Sequence, residues 1–318
     1  MNRIDQLRAP LFISWQLTRD CDLSCLHCCT ESAPGKRLRD ELDAAEALHL
    51  ADEIIRDGIP YVMLCGGEPL VVPHFFAVAE ALGQAGVQLK IESNGQRVDR
   101  EIAERLARLP IRSVQISLDG DTQEVYARQR PGASLAKAHA ACLAVRAAGL
   151  PLEITFAPTQ LNIHQAGQVI ERARAFGAFR FNTGQLMRIG TAARLWEKLE
   201  PSAIQYREFR GLLQRLTAEL AGELELCHVP FDIEDGLRAS LETPPATLLV
   251  LPNGWVKITG ALPQICADLR CNTLAQAWEA YRNAWRSDML HEEIQRALAD
   301  PSRHAQANAW QLLPGVHA

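Results

Sequence analysis

The stretch Cys21-Asp22-Leu23-Ser24-Cys25-Leu26-His27-Cys28 puts three thiols within eight residues, spaced Cx3Cx2C, directly after an apolar run, Leu11 to Thr18, that reads as a strand. Three thiolates on one loop can hold three corners of a cubane iron–sulfur cluster and leave the fourth iron without a protein ligand, which makes that iron a chemical site. Zinc is the alternative: it also takes Cys and His, and His27 or Cys29 would complete four ligands. Adjacent Cys28 and Cys29 do not both point easily at one tetrahedral ion, and zinc motifs usually come as two separated pairs. The cluster is therefore the preferred reading.

The whole chain carries nine cysteines in 318 residues, at 21, 25, 28, 29, 65, 142, 227, 266 and 271. An odd count argues against a disulfide framework and for thiols kept free for metal or chemistry. The opening Met1-Asn2-Arg3-Ile4-Asp5 puts an acid where a signal peptide would turn apolar, so the protein is expected in the cytoplasm. No apolar run reaches the roughly 18 residues of a membrane span. A net charge of -5 gives no field for nucleic-acid phosphates, which excludes nucleic-acid binding by bulk charge. With 47% apolar and 22% charged residues, the chain can bury a sizeable core.

Outward from the cysteine loop, short apolar runs rich in β-formers alternate with stretches of helical period, the pattern of βα units around a parallel sheet. Strands are expected at Leu11 to Thr18, Tyr61 to Cys65, Gln88 to Glu92, Ser113 to Leu118, Leu152 to Ala157 and Arg180 to Leu186. Helices fall between them at about 42–57, 73–85, 99–108, 135–148 and 164–176. Six such units predict an incomplete barrel. After Gly190 the rhythm changes to a long helix at about 202–221, a linker at Leu241 to Ala246, a hairpin of 247–251 and 255–259 around Asn253-Gly254, and a helix at about 274–297. The division expected is an N-terminal extension over 1–10, the barrel over 11–190, a helix–hairpin–helix cap over 191–300 and a mobile polar tail over 301–318.

A second signal, Cys65-Gly66-Gly67-Glu68-Pro69, ends the second strand, where barrels place ligand sites. Paired glycines let backbone come close to a bound molecule, and Glu68 would offer a carboxylate to an ammonium group. Alone the turn is weak, but it stands about 40 residues after the cysteine loop, one helix and one strand later. Cys65 and Cys142 lie in apolar surroundings and read as small core residues. Cys29 reads as a bystander.

Together these residues resemble the radical S-adenosylmethionine (SAM) superfamily over roughly residues 11–190. The resemblance implies an α/β fold, a partial (β/α)6 TIM-like barrel with a small C-terminal twitch-like α+β cap. It implies one [4Fe–4S] cluster on Cys21, Cys25 and Cys28, with SAM chelating the open iron. It places His27 near the adenine and the Gly66-Gly67-Glu68-Pro69 turn against the methionine amino group. The third and fourth strands end in Glu92-Ser93-Asn94-Gly95 and Ser117-Leu118-Asp119-Gly120, which match turns that approach SAM. Ser93, Asn94, Ser117 and Asp119 are thereby implied as contacts. Arg130, eleven residues after Asp119, is implied as partner to the methionine carboxylate. Asn162 and Met187 are further contacts of the same kind.

The implied enzyme cleaves SAM reductively to a 5′-deoxyadenosyl radical, which takes hydrogen from the substrate, and needs flavodoxin or ferredoxin as reductant. Glu41-Leu42-Asp43, the Gly-Gly-Glu-Pro turn, Gln115 to Gly120 and the C-terminal hairpin are similar to the peptide-maturase (SPASM/twitch) branch, with the pyrroloquinoline quinone and mycofactocin maturases. A ribosomally made peptide or related intermediate is the expected substrate. The alternatives are a small non-peptide substrate, such as a tetrapyrrole, aminosugar or nucleoside, or a noncatalytic iron–sulfur or zinc scaffold. With Gly254 as the hairpin glycine, the cap's second ligand position falls on Thr259 and the window 238–244 holds no cysteine. A cap without a cluster is expected, with Cys227, Cys266 and Cys271 the thiols that could still bind one. Any leader peptide would then need a separate recognition protein or the cap itself. For the hydrogen donor, Tyr126, Cys227, His228, Cys266 and Cys271 are candidates only.

Overall fold

Asp43 starts the first long helix by accepting from the backbone N–H groups of Ala45 and Glu46, while the Glu46 carboxylate reaches back to the Asp43 N–H. This reciprocal cap satisfies amides that the helix leaves free and turns Ala47, Leu50, Ala51 and Ile54 inward. The same logic, apolar stripe and capped start, recurs along the chain. The computed structural model describes residues 3–316. Its strands are β1 Phe12–Gln16, β2 Tyr61–Cys65, β3 Gln88–Ser93, β4 Ile111–Ser117, β5 Leu152–Phe156, β6 Arg180–Thr183, β7 Glu225–Cys227, β8 Thr247–Val250, β9 Trp255–Lys257, β10 Gln264–Asp268 and β11 Gln311–Leu312. The helices are α1 Ala44–Arg56, α2 Phe75–Gln84, α3 Arg100–Leu106, α4 Gln123–Gln129, α5 Leu135–Ala147, α6 Ala166–Ala175, α7 Thr191–Arg194, α8 Trp196–Leu199, α9 Ala203–Glu219, α10 Ile233–Glu242, α11 Leu274–Trp285 and α12 Asp288–Ala299.

Among the described residues the strands form one sheet, in the order β11-β10-β9-β8-β1-β2-β3-β4-β5-β6-β7. From β8 through β1 to β7 every neighbour is parallel, as in a TIM-like barrel left open at one seam. Ile13, Val62, Leu64, Leu89, Ile91, Val114, Ile116, Ile154 and Phe181 are fully buried beneath the surrounding helices. Alternate residues face the other way, and there the barrel is polar. Lys90 Nζ donates to Glu153 at 2.8 Å, Asn182 Nδ2 donates to Glu153 at 2.8 Å and to Gln115 at 3.0 Å, and Gln115 Nε2 donates to Glu92 at 2.9 Å. A polar interior of this kind suits a barrel that holds a ligand rather than apolar layers.

All six expected strands are present. The C-terminal strands join the barrel sheet: β7 extends it beside β6, and β8 pairs with β1 in the register Phe12↔Thr247 to Trp15↔Val250. The expected hairpin is β8–β9, and β10 continues it antiparallel. The expected linker at 241–246 begins inside α10, which ends at Glu242. The expected helix over 274–297 is two helices, because Arg286 closes α11 and the Ser287 side chain accepts from the Leu290 N–H to begin α12. The tail expected to be mobile is anchored instead: β11 pairs with β10, and Asn308 Nδ2 donates to the Cys29 carbonyl at 2.8 Å. At the other end, the Leu7 carbonyl accepts from buried Trp278 Nε1 at 3.1 Å. No helix among the described residues is long and apolar enough to cross a membrane.

Because β8 covers the β1 edge of the barrel, a chain cut after Pro244 should not fold alone. Urea unfolding of residues 1–244 is expected to lack a cooperative transition. A cooperative transition at the full-length midpoint would show that the barrel is independent.

Candidate functional site

The cysteine loop leaves β1 at the carboxyl end of the barrel strands and is held there by the turn after β2. A Cβ on Gly67 would stand 1.9 Å from the Asp20 carbonyl oxygen, and one on Gly66, whose φ is 136°, would stand 2.7 Å from that of Thr18. Gly67 N–H donates to Thr18 at 2.7 Å and Glu68 N–H to Asp20 at 3.0 Å. The glycine pair thereby lets the cysteine loop close onto the turn after β2.

Donors point at each of the three sulfurs. Cys21 Sγ faces the Leu23 N–H at 3.4 Å and Asn94 Nδ2 at 3.7 Å, Cys25 Sγ faces Arg130 Nη1 at 3.5 Å, and Cys28 Sγ faces the Ser32 N–H at 3.3 Å. Burial pushes the Cys21 thiol up to about 12 and the Cys25 thiol up to about 11, the latter in spite of Arg130. Such thiols become thiolates only beside strong positive charge, which bound iron provides. Three sulfurs on one loop, each already given a hydrogen-bond donor, fit a cluster of that charge.

Four residues that the sequence offers as SAM contacts, Asp119, Arg130, Asn162 and Glu68, are hydrogen-bonded to the protein itself. Asp119, fully buried, accepts from Arg130 Nε at 2.6 Å and lies 3.2 Å from His27 Nε2; its second oxygen accepts from the Ala157 N–H at 2.7 Å. Asp119, Arg130 and His27 thus form one buried group beside the cysteine loop. Asn162 spends its amide on the carbonyls of Asp119 and Ala157 and its oxygen on the Thr159 N–H. Glu68, also fully buried, accepts from Ser93 Oγ, Asn94 N–H and Leu70 N–H at 3.0, 2.8 and 3.3 Å, which fixes its carboxylate at the end of β2. Burial lifts it to about 7 in spite of these donors. These positions build the platform because a turn at a strand end needs its own hydrogen bonds filled first.

His27, Ser117, Asn94 and Met187 are further side chains that the sequence offers as contacts. His27 is held neutral at about 4, chiefly by burial and against the pull of Asp119, and its Nδ1 is buried without a protein partner. Ser117 gives its carbonyl to the Tyr126 hydroxyl at 3.3 Å and is partly exposed. Asn94 Nδ2 donates to Asp22 at 2.7 Å, and Arg97 holds the same aspartate at 2.9 Å. Met187 is 43% exposed and lines a cavity of about 580 Å³.

That cavity lies between the polar barrel face, represented by Gln16, Thr155 and Asn182, and the C-terminal strands. None of Tyr126, Cys227, His228, Cys266 and Cys271 lines it. Cys266 is buried with Sγ on the Val256 carbonyl at 3.5 Å, and Cys271 is exposed. Cys29, read from sequence as a bystander, does line it, together with Arg19, Lys257, Asn308 and Trp310. No motif spacing marks these; only the strand register and the anchored tail bring them to the cavity.

The Asp119–Arg130 pair is enclosed, so breaking it should cost about 3–5 kcal/mol. Asp119→Asn is expected to lower the unfolding free energy measured in urea by that order, and adding Arg130→Met should restore part of it. Additive losses in the double variant would contradict the pairing.

The radical SAM superfamily profile matches residues 15–172. Mycofactocin maturase MftC of Mycobacterium ulcerans is 36% identical over 200 residues, which cover 63% of this chain and 53% of that protein. The chain thus spans about half the length of that relative. Mycofactocin maturase MftC of Mycobacterium tuberculosis is 31% identical over 292 residues, 91% of this chain and 73% of that protein. In fold, the chain is similar to Streptococcus suis SuiB bound to the precursor peptide SuiA, with TM-score 0.70 at 14% identity, over 92% of this chain and 68% of that one. The sequence matches agree with the cysteine loop at the barrel mouth: the chain belongs to the radical SAM superfamily, in its peptide-maturase branch.

Proposed function

We propose that the protein modifies a ribosomally made peptide, or a closely related biosynthetic intermediate, in the cavity between barrel and C-terminal strands. The observation that carries this reading is the cysteine loop, with a donor on every sulfur, fixed at the barrel mouth close to that cavity. The peptide bound to SuiB in a barrel of the same fold supports the substrate class.

Cys21, Cys25 and Cys28 would hold one [4Fe–4S] cluster. With SAM bound, that cluster supplies one-electron cleavage to a 5′-deoxyadenosyl radical, the hydrogen-abstracting species of the family. The chain's own part is positional. His27 Nδ1 is left for the nucleoside, and Ser117, Asn94 and the Gly66–Pro69 turn border the cofactor. Asp119, Arg130 and Asn162 hold the strand ends still, and the enclosing walls keep water from a reactive intermediate. A single cluster fits the burial of the Cys266 thiol in the core and the absence of cysteine at Thr259. Flavodoxin or ferredoxin would deliver the electron, and a separate protein would present a leader peptide. The protein would act in the cytoplasm, where cysteines such as these stay reduced.

After anaerobic reconstitution and reduction with dithionite, the protein is expected to convert SAM to 5′-deoxyadenosine and to contain iron and sulfide for one cluster. Replacing Cys21, Cys25 and Cys28 together by Ala should remove both iron and cleavage; replacing Cys227, Cys266 and Cys271 together should leave the iron unchanged. No cleavage with a full cluster would refute the enzyme reading, and iron persisting in the first variant would refute the single cluster.

A further inference from the structure

One cation in the cavity has no acid. Lys257 lies on β9 opposite Leu249 of β8, which in turn lies opposite Ser14 of β1. Residues directly paired across strands share a face, and the Ser14 hydroxyl meets Cys65 Sγ at 3.8 Å within the barrel. Lys257 is thus turned to the barrel interior and lines the cavity, although only 2% exposed. Among the described residues it pairs with no carboxylate; its one hydrogen bond runs from Nζ to the Gly260 carbonyl at 3.0 Å. Lysine is almost never buried this far unless paired, because its charge loses water.

A second, separate observation points the same way. Arg19 lines the same cavity, and its Nε is buried without a partner while Nη2 sits 3.5 Å from Glu31. The one acid lining the cavity, Asp232, already caps α10 through the Asp235 N–H at 2.8 Å and faces Arg210 at 3.6 Å. The remaining walls include Phe156, Met187, Phe231 and Trp310.

We propose that Lys257, assisted by Arg19, is a carboxylate-binding subsite, so that the substrate carries a carboxylate on an apolar body and is aimed by that carboxylate. The inference rests on the reading of this cavity as the substrate chamber. Burial brings the Lys257 ammonium down to about 8 against the pull of the Cys29 sulfur, and a ligand carboxylate would oppose that loss of charge. Lys257 is a positioning residue: it fixes which carbon faces the cofactor and takes no part in bond breaking.

The test uses the reconstituted full-length protein with SAM, anaerobically at pH 7, titrated calorimetrically with N-acetylphenylalanine and with N-acetylphenylalaninamide. The acid is expected to bind at least about tenfold more tightly than the amide, about 1.4 kcal/mol. Lys257→Met should abolish that preference and Lys257→Arg should keep it, with thermal midpoints checking that both variants fold. Equal affinity for the two probes, no binding of the acid, or a preference that survives in a folded Lys257→Met would each overturn the proposal. The wild-type comparison stands even if a variant fails to fold. Assaying the same wild-type preparation for 5′-deoxyadenosine separates the two claims: cleavage without carboxylate preference sinks only the subsite, whereas absence of cleavage sinks the proposed function.

Discussion

A single buried carboxylate, Asp119, ties together the elements from which the site is made. Through its two oxygens it joins the end of β4 to Arg130 after α4, to His27 in the cysteine loop and to the Ala157 amide after β5, while its own carbonyl takes Asn162. A charge placed in such surroundings is tolerable only with a complete set of partners, and here they come from three segments, the cysteine loop, the end of α4 and the loop after β5. The cost of burying the acid thereby becomes a constraint on geometry: the turns satisfy Asp119 together or not at all. Arg130 carries that order onward, since the guanidinium that neutralises Asp119 also faces Cys25 Sγ at 3.5 Å.

Around this hub the cysteine loop is pressed against the turn after β2 by steric necessity. Where a Cβ on Gly67 would fall 1.9 Å from a carbonyl oxygen, only glycine permits the contact. The C-terminal strands then enlarge the barrel without closing it. β8 and β9 lengthen the sheet beyond β1 and bring an unpaired lysine to the inner face, and Asn308 fastens the tail to the carbonyl of Cys29. Cofactor platform and substrate walls are in this sense parts of one sheet.

Much of this could be read from the residues alone, because the chemistry is local. Three thiols on one loop, a Gly-Gly-Glu-Pro turn after the next strand and six apolar runs are short-range signals, and each has its place in the structure. What escaped the reading is long-range. Asp119, Arg130 and Asn162 have the residue types of ligand contacts, and only three-dimensional proximity shows that they also bond to one another. β7 is three residues long, too short for a periodic signal, and the pairing of β8 with β1 joins segments more than 200 residues apart. Lys257 gives no signal at all, since a lysine in Trp255-Val256-Lys257 reads as an exposed strand position until the register of three strands turns it inward.

The central claim, that this platform presents an open iron to SAM, is tested most directly by electron paramagnetic resonance of the reduced, reconstituted protein before and after SAM is added. The account predicts one cluster signal whose g-values shift on addition of SAM, because the cofactor ligates an iron that no cysteine holds. A fully loaded, reduced protein whose signal is unmoved by SAM would contradict it.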